Sequence, residues 1–309
     1  MKAVVYEKKK LVYGDVPTPV PGENEVLVKI HAASLNALDY RSMRMGIIPK
    51  SRIFGADIAG VMEAVGSRVT EYRAGDRVAA DISGCGLGGF AEYAAVPQSV
   101  LVKIPEPVSF ENAAALPVAG GTALQALKMG GVKKGHRVLI VGAGGGVGTY
   151  AVQLAKIMGA AVTAVCGPNN AGMVLGLGAE RVIDYTKESF AADTYVYDVV
   201  IAANGGYPLS AYKRVLKPNG VCVVLGGALK QIFATMVLGP FLSAGSKKLR
   251  MLAAKPKPKD LAFNLSLTAQ VQLKPVITAR HRLNSTPEAL AELSRGHARG
   301  KVIITVQEG

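Results

Sequence analysis

Three evenly spaced glycines, Gly142, Gly145 and Gly148, stand where an apolar run turns into a helix-like stretch ending at Lys156. Glycine permits a tight turn, lets backbone N–H groups approach a pyrophosphate, and allows a helix to pack closely on a strand. The N-terminus of the following helix offers unsatisfied N–H groups and a partial positive charge to an anion. The sequence therefore predicts a dinucleotide-binding turn, whose contact residues are Gly142, Gly144, Gly145, Gly146, Val147 and Gly148.

The spacing is Gly-x-x-Gly-x-x-Gly, and no Lys-Ser or Lys-Thr pair follows it, which excludes a P-loop. The end of the next predicted strand bears on the cofactor. A carboxylate there would bind the ribose 2′-hydroxyl of NADH, but the stretch after Cys166 contains no acid. Because an acid would repel a 2′-phosphate, its absence favours NADPH. No Arg or Lys stands there either, so Tyr185, Lys187 or a basic side chain from elsewhere must assist. The predicted contacts in this part are Gly167, Asn169, Asn170 and Tyr185.

The chemistry predicted beside this cofactor is hydride transfer without a metal. A short-chain dehydrogenase needs a Tyr-x-x-x-Lys pair downstream of the glycines, and no tyrosine there has a lysine four residues later. A zinc alcohol dehydrogenase needs cysteine and histidine ligands. The cysteines and histidines are scattered and form no such pattern: Cys85, Cys166, Cys222, His31, His136, His281 and His297.

Composition narrows the class of protein. The 309 residues, half of them hydrophobic, suit two packed domains. The net charge is +14, and its one local excess, residues 246–259, is interpreted as a solvated face and linker. Three separated cysteines fit a reducing compartment. We read no signal peptide and no 18-residue apolar stretch, so we expect a cytoplasmic protein.

The order of predicted elements indicates the fold class. Residues 1 to about 110 read as short strands between Gly, Pro and Asp turns. From about Pro117 strands and helices alternate, which is typical of a doubly wound parallel sheet. The prediction is an α/β protein with a β-rich catalytic domain at residues 1–113 and 256–309 and a dinucleotide-binding Rossmann domain at residues 114–255.

Short motifs follow one another along nearly the whole chain: LNALDY, FGADIAGVMEAVGS, AGDRVAA, GGFAEYAAVP, AAALPVAGGTALQAL and GAGGGVGTYAVQLAK. With them the sequence resembles the zinc-free medium-chain dehydrogenase/reductases of the quinone oxidoreductase type. VTAVCGPNN, AANG, SKKL and GHARGKVII are most similar to the chloroplast-envelope quinone oxidoreductase homologues. The resemblance implies a GroES-like catalytic domain and NADPH-dependent reduction of α,β-unsaturated carbonyl compounds or quinones.

The resemblance also implies site residues. Asn36 stands where the zinc enzymes have a ligand cysteine, and their Gly-His-Glu is Gly55-Ala56-Asp57 here. Asn169 replaces an arginine of close relatives. Asn36 and Tyr40 are the predicted catalytic residues, at a cleft between the domains. Asn36 could orient the carboxamide or donate to the substrate; Tyr40 could donate a hydrogen bond or wall the pocket, with packing alone as the alternative. Asp39 is interpreted as a turn or network residue. The remaining predicted cofactor contacts are Thr122, at the start of a helix, with Ala203, Asn204, Gly226 and Gly227.

Two non-enzymatic interpretations stay open. The protein could be a peripheral membrane protein that uses the apolar stretch after Ile232, or a basic NADPH-binding protein that contacts RNA. No nucleic-acid motif supports the second. We expect Phe233, Met236, Val237 and Phe241 to form the wall or lid of a substrate pocket, with a homodimer contact or a core helix as the alternative.

Overall fold

The computed structural model describes residues 1–193, 196–203, 206–225, 246–296 and 299–307. The chain divides into two compact units, Met1–Gly121 with Lys255–Gly309 and Thr122–Ala254. Within the described ranges, none of the helices has the length and apolar character needed to cross a bilayer.

The second unit is built on a six-stranded parallel sheet flanked by helices. Its central strands are apolar and rich in β-branched residues, as strands covered on both faces must be. The strands are β8 (Arg137–Val141), β9 (Ala161–Cys166), β10 (Arg181–Asp184), β11 (Tyr197–Ala202), β12 (Leu216–Val224) and β13 (Lys248–Met251). The helices are α4 (Gly146–Ile157), α5 (Ala171–Gly176) and α6 (Leu209–Arg214).

The strand order of this sheet is β10-β9-β8-β11-β12-β13. The order reverses between β8 and β11, whose pairing sets Ala202 beside Val141. In open α/β sheets, ligands bind beyond the carboxyl ends of the strands at such a reversal. The glycine turn follows Val141 directly and therefore stands at this point of the sheet. The predicted α/β fold class with a doubly wound parallel sheet is confirmed.

The first unit is built on a seven-stranded sheet and a two-stranded one. Its strands are β1 (Lys2–Glu7), β2 (Lys10–Asp15), β3 (Glu25–Ser34), β4 (Asp57–Val65), β5 (Arg77–Asp81), β6 (Tyr93–Pro97), β7 (Val102–Lys103), β14 (Ile277–Arg282) and β15 (Lys301–Thr305). Its helices are α1 (Ala37–Arg44), α2 (Phe110–Ala114), α7 (Pro258–Ala269) and α8 (Thr286–Ser294), and the division between the units falls within α3 (Pro117–Gly130).

Polar residues meet at one end of the large sheet of the first unit. Ser34, Asp57 and Asp81 are successive register partners across β3, β4 and β5. Further along β3 and β4, the interior is apolar and buried. The sheet therefore delivers a row of polar side chains to the edge from which α1 begins.

The packing of α4 on β8 depends on Gly148. A Cβ at this position would overlap the carbonyl oxygen of Gly142 and lie 2.6 Å from Cα of Ala143. Both are backbone atoms of the turn that connects β8 to α4, so the helix itself would have to move away from this end of the strand.

We expect Gly148→Ala to lower the free energy of unfolding by roughly 1–3 kcal/mol through this overlap. Gly172→Ala on α5 is the matched control, because a Cβ there meets no atom of the described chain within 4 Å. The control is expected to be neutral or slightly stabilising, since alanine favours helices. Urea denaturation compares the two variants; equal stability would disprove the close helix–strand contact.

Candidate active site

The glycine turn of the second unit leads directly into the N-terminus of a helix. Gly142 has φ +83°, a left-handed conformation that glycine adopts without strain. Helix α4 begins at Gly146, with the extended Gly145 as its N-cap. The N–H groups of the first turn have no acceptor within their own helix and are free to bind an anion.

The side chain of Asn170 closes the turn from the side. A Cβ on Gly144 would lie 2.6 Å from Cγ of Asn170, so only glycine allows this approach. The Oδ1 atom of Asn170 is buried and has no hydrogen-bond partner among the described residues. A buried acceptor without a donor is costly unless a ligand or water supplies one. A sugar hydroxyl is such a donor, so the turn and Asn170 fit a bound dinucleotide.

The end of β9 is open and uncharged. Asn169 is exposed, and Tyr185 is 46% exposed. A Cβ on Gly167 would lie 3.0 Å from the Tyr185 hydroxyl, which places the phenol directly over this turn. The three predicted residues are therefore brought together at one strand end.

Sequence reasoning missed one carboxylate at this edge, because strand register is not visible in the sequence. Asp184 at the end of β10 is the register partner of Cys166. The backbone N–H of Thr186 and the Thr186 hydroxyl both donate hydrogen bonds to Oδ1 of Asp184, at 3.0 and 2.8 Å. The Nζ atom of Lys187 lies 3.9 Å from Oδ2 of Asp184. These hydrogen bonds hold the pKa of Asp184 below its usual value. The Asp184 carboxylate is therefore hydrogen-bonded within the turn that follows β10.

The remaining predicted cofactor contacts have different outcomes. Ala203 donates its N–H to the carbonyl of Val141 at 2.9 Å, which sets it beside the start of the glycine turn. Thr122 lies in the second turn of α3 and not at the start of that helix, as the sequence had suggested. The predicted contacts Asn204, Gly226 and Gly227, and the predicted pocket wall at Phe233, Met236, Val237 and Phe241, lie outside the described residues.

A second polar constellation lies in the first unit, where β3 passes into α1. Asn36 is the N-cap of α1 and is 7% exposed. The buried carboxylate of Asp39 accepts the N–H of Asn36 at 2.8 Å and that of Gly55 at 3.2 Å. Burial is the main cause that raises the pKa of Asp39 to about 7; the charge of Asp57 contributes to the rise, and the hydrogen bond from the N–H of Asn36 opposes it. Asp39 therefore anchors the turn, in agreement with its interpretation as a network residue.

The carboxylate of Asp57, fully buried at the start of β4, joins four parts of the unit. Its Oδ2 accepts from the Ser34 hydroxyl at 2.6 Å, from Nδ2 of Asn36 at 2.8 Å and from Nζ of Lys301 at 3.3 Å. Its Oδ1 accepts from N of Val118 at 2.8 Å, one of the unsatisfied donors in the first turn of α3. The negative charge also lies favourably at that helix N-terminus.

Sequence reasoning missed Lys301 and Asp81 in this constellation. Lys301 begins the otherwise apolar strand β15, and its side chain is 2% exposed. Asp81 faces Asp57 across β4 and β5, and burial raises its pKa to about 6, with the charge of Asp57 as the next cause. The sequence offered one signal for Lys301: it is the first residue of a strand that is otherwise apolar. This position indicates only weakly that the lysine side chain is buried.

Tyr40, the second predicted catalytic residue, lies one turn after Asn36 along α1. Its half-buried ring packs against the apolar core of the unit. The guanidinium groups of Arg41 and Arg44 lie 5.9 and 5.2 Å from the ring centroid. Tyr40 is the fourth residue of α1, which begins directly after the N-cap Asn36.

In the described part of the chain, no group of three or more histidine, cysteine, aspartate or glutamate residues is arranged to hold a metal ion. His31 instead stacks on Phe110, with ring centroids 4.4 Å apart. At Asn36, the group beside the amide oxygen is the ammonium of Lys301.

Comparisons with known proteins agree with this arrangement. Residues 22–106 match the family model described as alcohol dehydrogenase GroES-like domain, and residues 177–304 match the one described as zinc-binding dehydrogenase. The chain is 38% identical to the chloroplast envelope quinone oxidoreductase homolog of Arabidopsis thaliana, over 95% of this chain and 93% of that protein. The chain belongs to the medium-chain dehydrogenase/reductase family.

Other members of this family extend the comparison. The 2-methylene-furan-3-one reductase of Solanum lycopersicum is 34% identical over 94% of this chain and 74% of its own length. The mitochondrial NAD(P)H oxidoreductase RTN4IP1 of Mus musculus is 31% identical over 92% and 82%. The solved quinone oxidoreductase of Coxiella burnetii superposes with a TM-score of 0.88 at 30% identity, covering 99% of this chain and 98% of the other.

Two predictions are thereby confirmed. This medium-chain dehydrogenase/reductase has the GroES-like and Rossmann folds that the motifs implied, and its relatives are those that the motifs resembled. The family includes NAD(P)H-dependent oxidoreductases, and the second unit of this chain has the parallel sheet of a Rossmann-like fold.

The buried Asp39 makes the stability of the first unit depend on pH. Its pKa rises from 3.8 to about 7 on folding, so its protonated form stabilises the fold below the unfolded pKa, and this contribution is lost as pH rises through about 7. Between about pH 5 and about pH 8 we expect the difference in unfolding free energy between wild type and Asp39→Asn to change by up to about 2.7 kcal/mol, since only about two units of the interval between the unfolded and folded pKa lie in this range. Urea denaturation at about pH 5 and about pH 8 measures it. Glu63→Gln, an exposed carboxylate on β4, is the control; an identical pH dependence in wild type and Asp39→Asn would contradict the assignment.

Proposed function

We propose that this protein is an NADPH-dependent reductase that transfers hydride to the β-carbon of α,β-unsaturated carbonyl compounds, or to quinones, without a metal. The observation that carries the proposal is the glycine turn at the strand reversal, closed by the side chain of Asn170, whose buried Oδ1 lacks a donor among the described residues. The names of the relatives, which include quinone oxidoreductases and a furanone reductase, support the substrate class.

The preference for NADPH is supported by the end of β9. No acid follows this strand, and the neighbouring Asp184 is engaged by Thr186. The exposed Asn169 amide and the Tyr185 hydroxyl can donate hydrogen bonds to a phosphate. The Lys187 side chain, 78% exposed, supplies a mobile positive charge two residues from Tyr185.

Asn36 is the proposed donor to the substrate oxygen. When bound, the nicotinamide cofactor supplies a hydride. As the β-carbon accepts it, the electron pair of the double bond moves to the conjugated oxygen, which gains negative charge. One Nδ2 hydrogen of Asn36 is held by Asp57, whereas the other has only a 3.4 Å contact with the carbonyl of Ser34. This second hydrogen is available to the charged oxygen, as donors in oxyanion sites are.

Tyr40 is proposed to line the acceptor site beside Asn36. Its ring is held by the core on one side and by Arg41 and Arg44 near its face, so it has little freedom to move. Asp39 contributes by fixing the backbone of Asn36, since both of its oxygens already accept N–H groups.

The test of the activity is NADPH oxidation with a panel of enones, enals and quinones, in the presence of a chelator. We expect turnover of at least one acceptor class, undiminished by the chelator. Gly144→Ala should lose cofactor binding, because its Cβ meets the Asn170 side chain, whereas Gly172→Ala should keep it. Failure of wild type to reduce any acceptor with either nicotinamide cofactor would refute the proposal.

The cofactor preference is tested by calorimetric titration with NADPH and NADH. We expect tighter binding of NADPH in wild type. Asn169→Arg should widen the gap by about tenfold or more, since a charge-assisted contact with a phosphate is worth about 1.5–3 kcal/mol. Ser210→Arg, which adds the same charge at an exposed position on α6, is the matched control. Tighter binding of NADH to wild type would show that the strand end was misinterpreted.

A further inference from the structure

Lys301 is a buried lysine whose three N–H donors are all engaged. Its Nζ donates to the carbonyl of Leu35 at 3.1 Å, to Oδ1 of Asn36 at 2.7 Å and to Oδ2 of Asp57 at 3.3 Å. The shortest of the three bonds goes to the neutral amide and not to the carboxylate. A lysine is seldom buried this completely without a partner, so these contacts account for its position.

The backbone aims this side chain at Asn36. Gly300, with φ +55°, precedes Lys301, and a Cβ there would overlap the carbonyl of Val276. That same carbonyl accepts the N–H of Lys301 at 2.7 Å. The close approach of these strands fixes where β15 begins, and with it the direction of the lysine.

Stability alone does not explain the charge. Replacing a buried ion pair by apolar side chains of similar volume is often neutral or stabilising. The ammonium and the Asp57 carboxylate do have an effect on Asn36, because they hold opposite ends of its amide. A flipped amide would turn its NH₂ group toward the ammonium and its oxygen toward the carboxylate, which both charges oppose.

We propose that Lys301 is a positioning residue of the reductase site. Its ammonium fixes the orientation of the Asn36 amide and draws electron density toward Oδ1, so that the second Nδ2 hydrogen becomes a stronger donor to the substrate oxygen. Hydrogen bonds in a chain polarise one another in this way, most of all when one member is charged. The inference rests on the proposed function, in which Asn36 donates to that oxygen.

Three variants separate the charge from its structural contribution. Lys301→Met removes the ammonium but leaves the buried Asp57 carboxylate without its cationic partner, which is expected to destabilise the fold. The double variant Asp57→Asn/Lys301→Met removes both charges and should recover much of that stability. Lys301→Arg keeps the charge. Lys217→Met, which breaks the ion pair with Asp198 in the second unit, is the matched control.

The first readout is steady-state kinetics on the acceptor that wild type reduces best. We expect kcat to fall about tenfold or more in both methionine variants, including the thermally stable double variant, as when an oxyanion donor is weakened. KM for NADPH should stay within about twofold of wild type, since the change affects the transition state and not cofactor binding. Lys301→Arg should recover part of kcat, and Lys217→Met should match wild type. Wild-type kcat in a stable double variant would overturn the proposal.

The second readout does not need turnover. Selective ¹⁵N labelling of asparagine side chains, with Asn36→Ala to assign the signal, reports the Asn36 amide by NMR. We expect its Nδ2 protons to exchange slowly in wild type and faster, with a changed shift, in the double variant but not in Lys217→Met. An unchanged Asn36 signal in the double variant would overturn the positioning inference even if activity fell. If wild type reduces no acceptor, the proposed function is wrong, and the Asn36 signal still decides whether Lys301 holds the amide.

Discussion

The arrangement of the first unit depends on one buried carboxylate, that of Asp57, which needs hydrogen-bond donors from several elements. Asp57 has no access to water, and a buried charge must be compensated by opposite charge and hydrogen bonds. Its donors come from the end of β3, from the residue that caps α1, from the first turn of α3 and from the start of β15. Elements far apart in sequence therefore converge on one atom pair. Asn36 owes its fixed place to this convergence, not to its position at a helix terminus alone.

The charge balance around Asp57 has a consequence for neighbouring acids. Asp39 and Asp81 are both close enough for the Asp57 charge to raise their pKa values, while Lys301 lowers both. A single ammonium thus limits the repulsion among three carboxylates. With the pKa of Asp39 at about 7 and that of Asp81 at about 6, the cluster takes up protons in the range where most carboxylates stay ionised.

In the second unit, the candidate binding turn depends on glycines, whose missing side chains allow close backbone approach. Gly148 lets α4 approach β8, Gly142 makes the left-handed turn, and Gly144 admits the Asn170 amide. What remains at the strand reversal is backbone N–H and a buried acceptor in need of a donor, which together suit phosphates and sugar hydroxyls. One unit therefore gathers buried charges, whereas the other depends on close approach of the backbone.

The sequence by itself determined the α/β class, the parallel sheet and the glycine turn, because hydrophobic periodicity and glycine spacing are local properties that are read along the chain. It also singled out Asn36 and Tyr40, which follow a predicted strand, and it assigned Asp39 to a turn or a hydrogen-bond network. The tertiary structure alone decided that Lys301, 265 residues from Asn36, holds that amide, and that Asp184 lies beside Cys166. Both depend on strand order and register, which arise from pairing between distant segments and leave no mark in the local pattern.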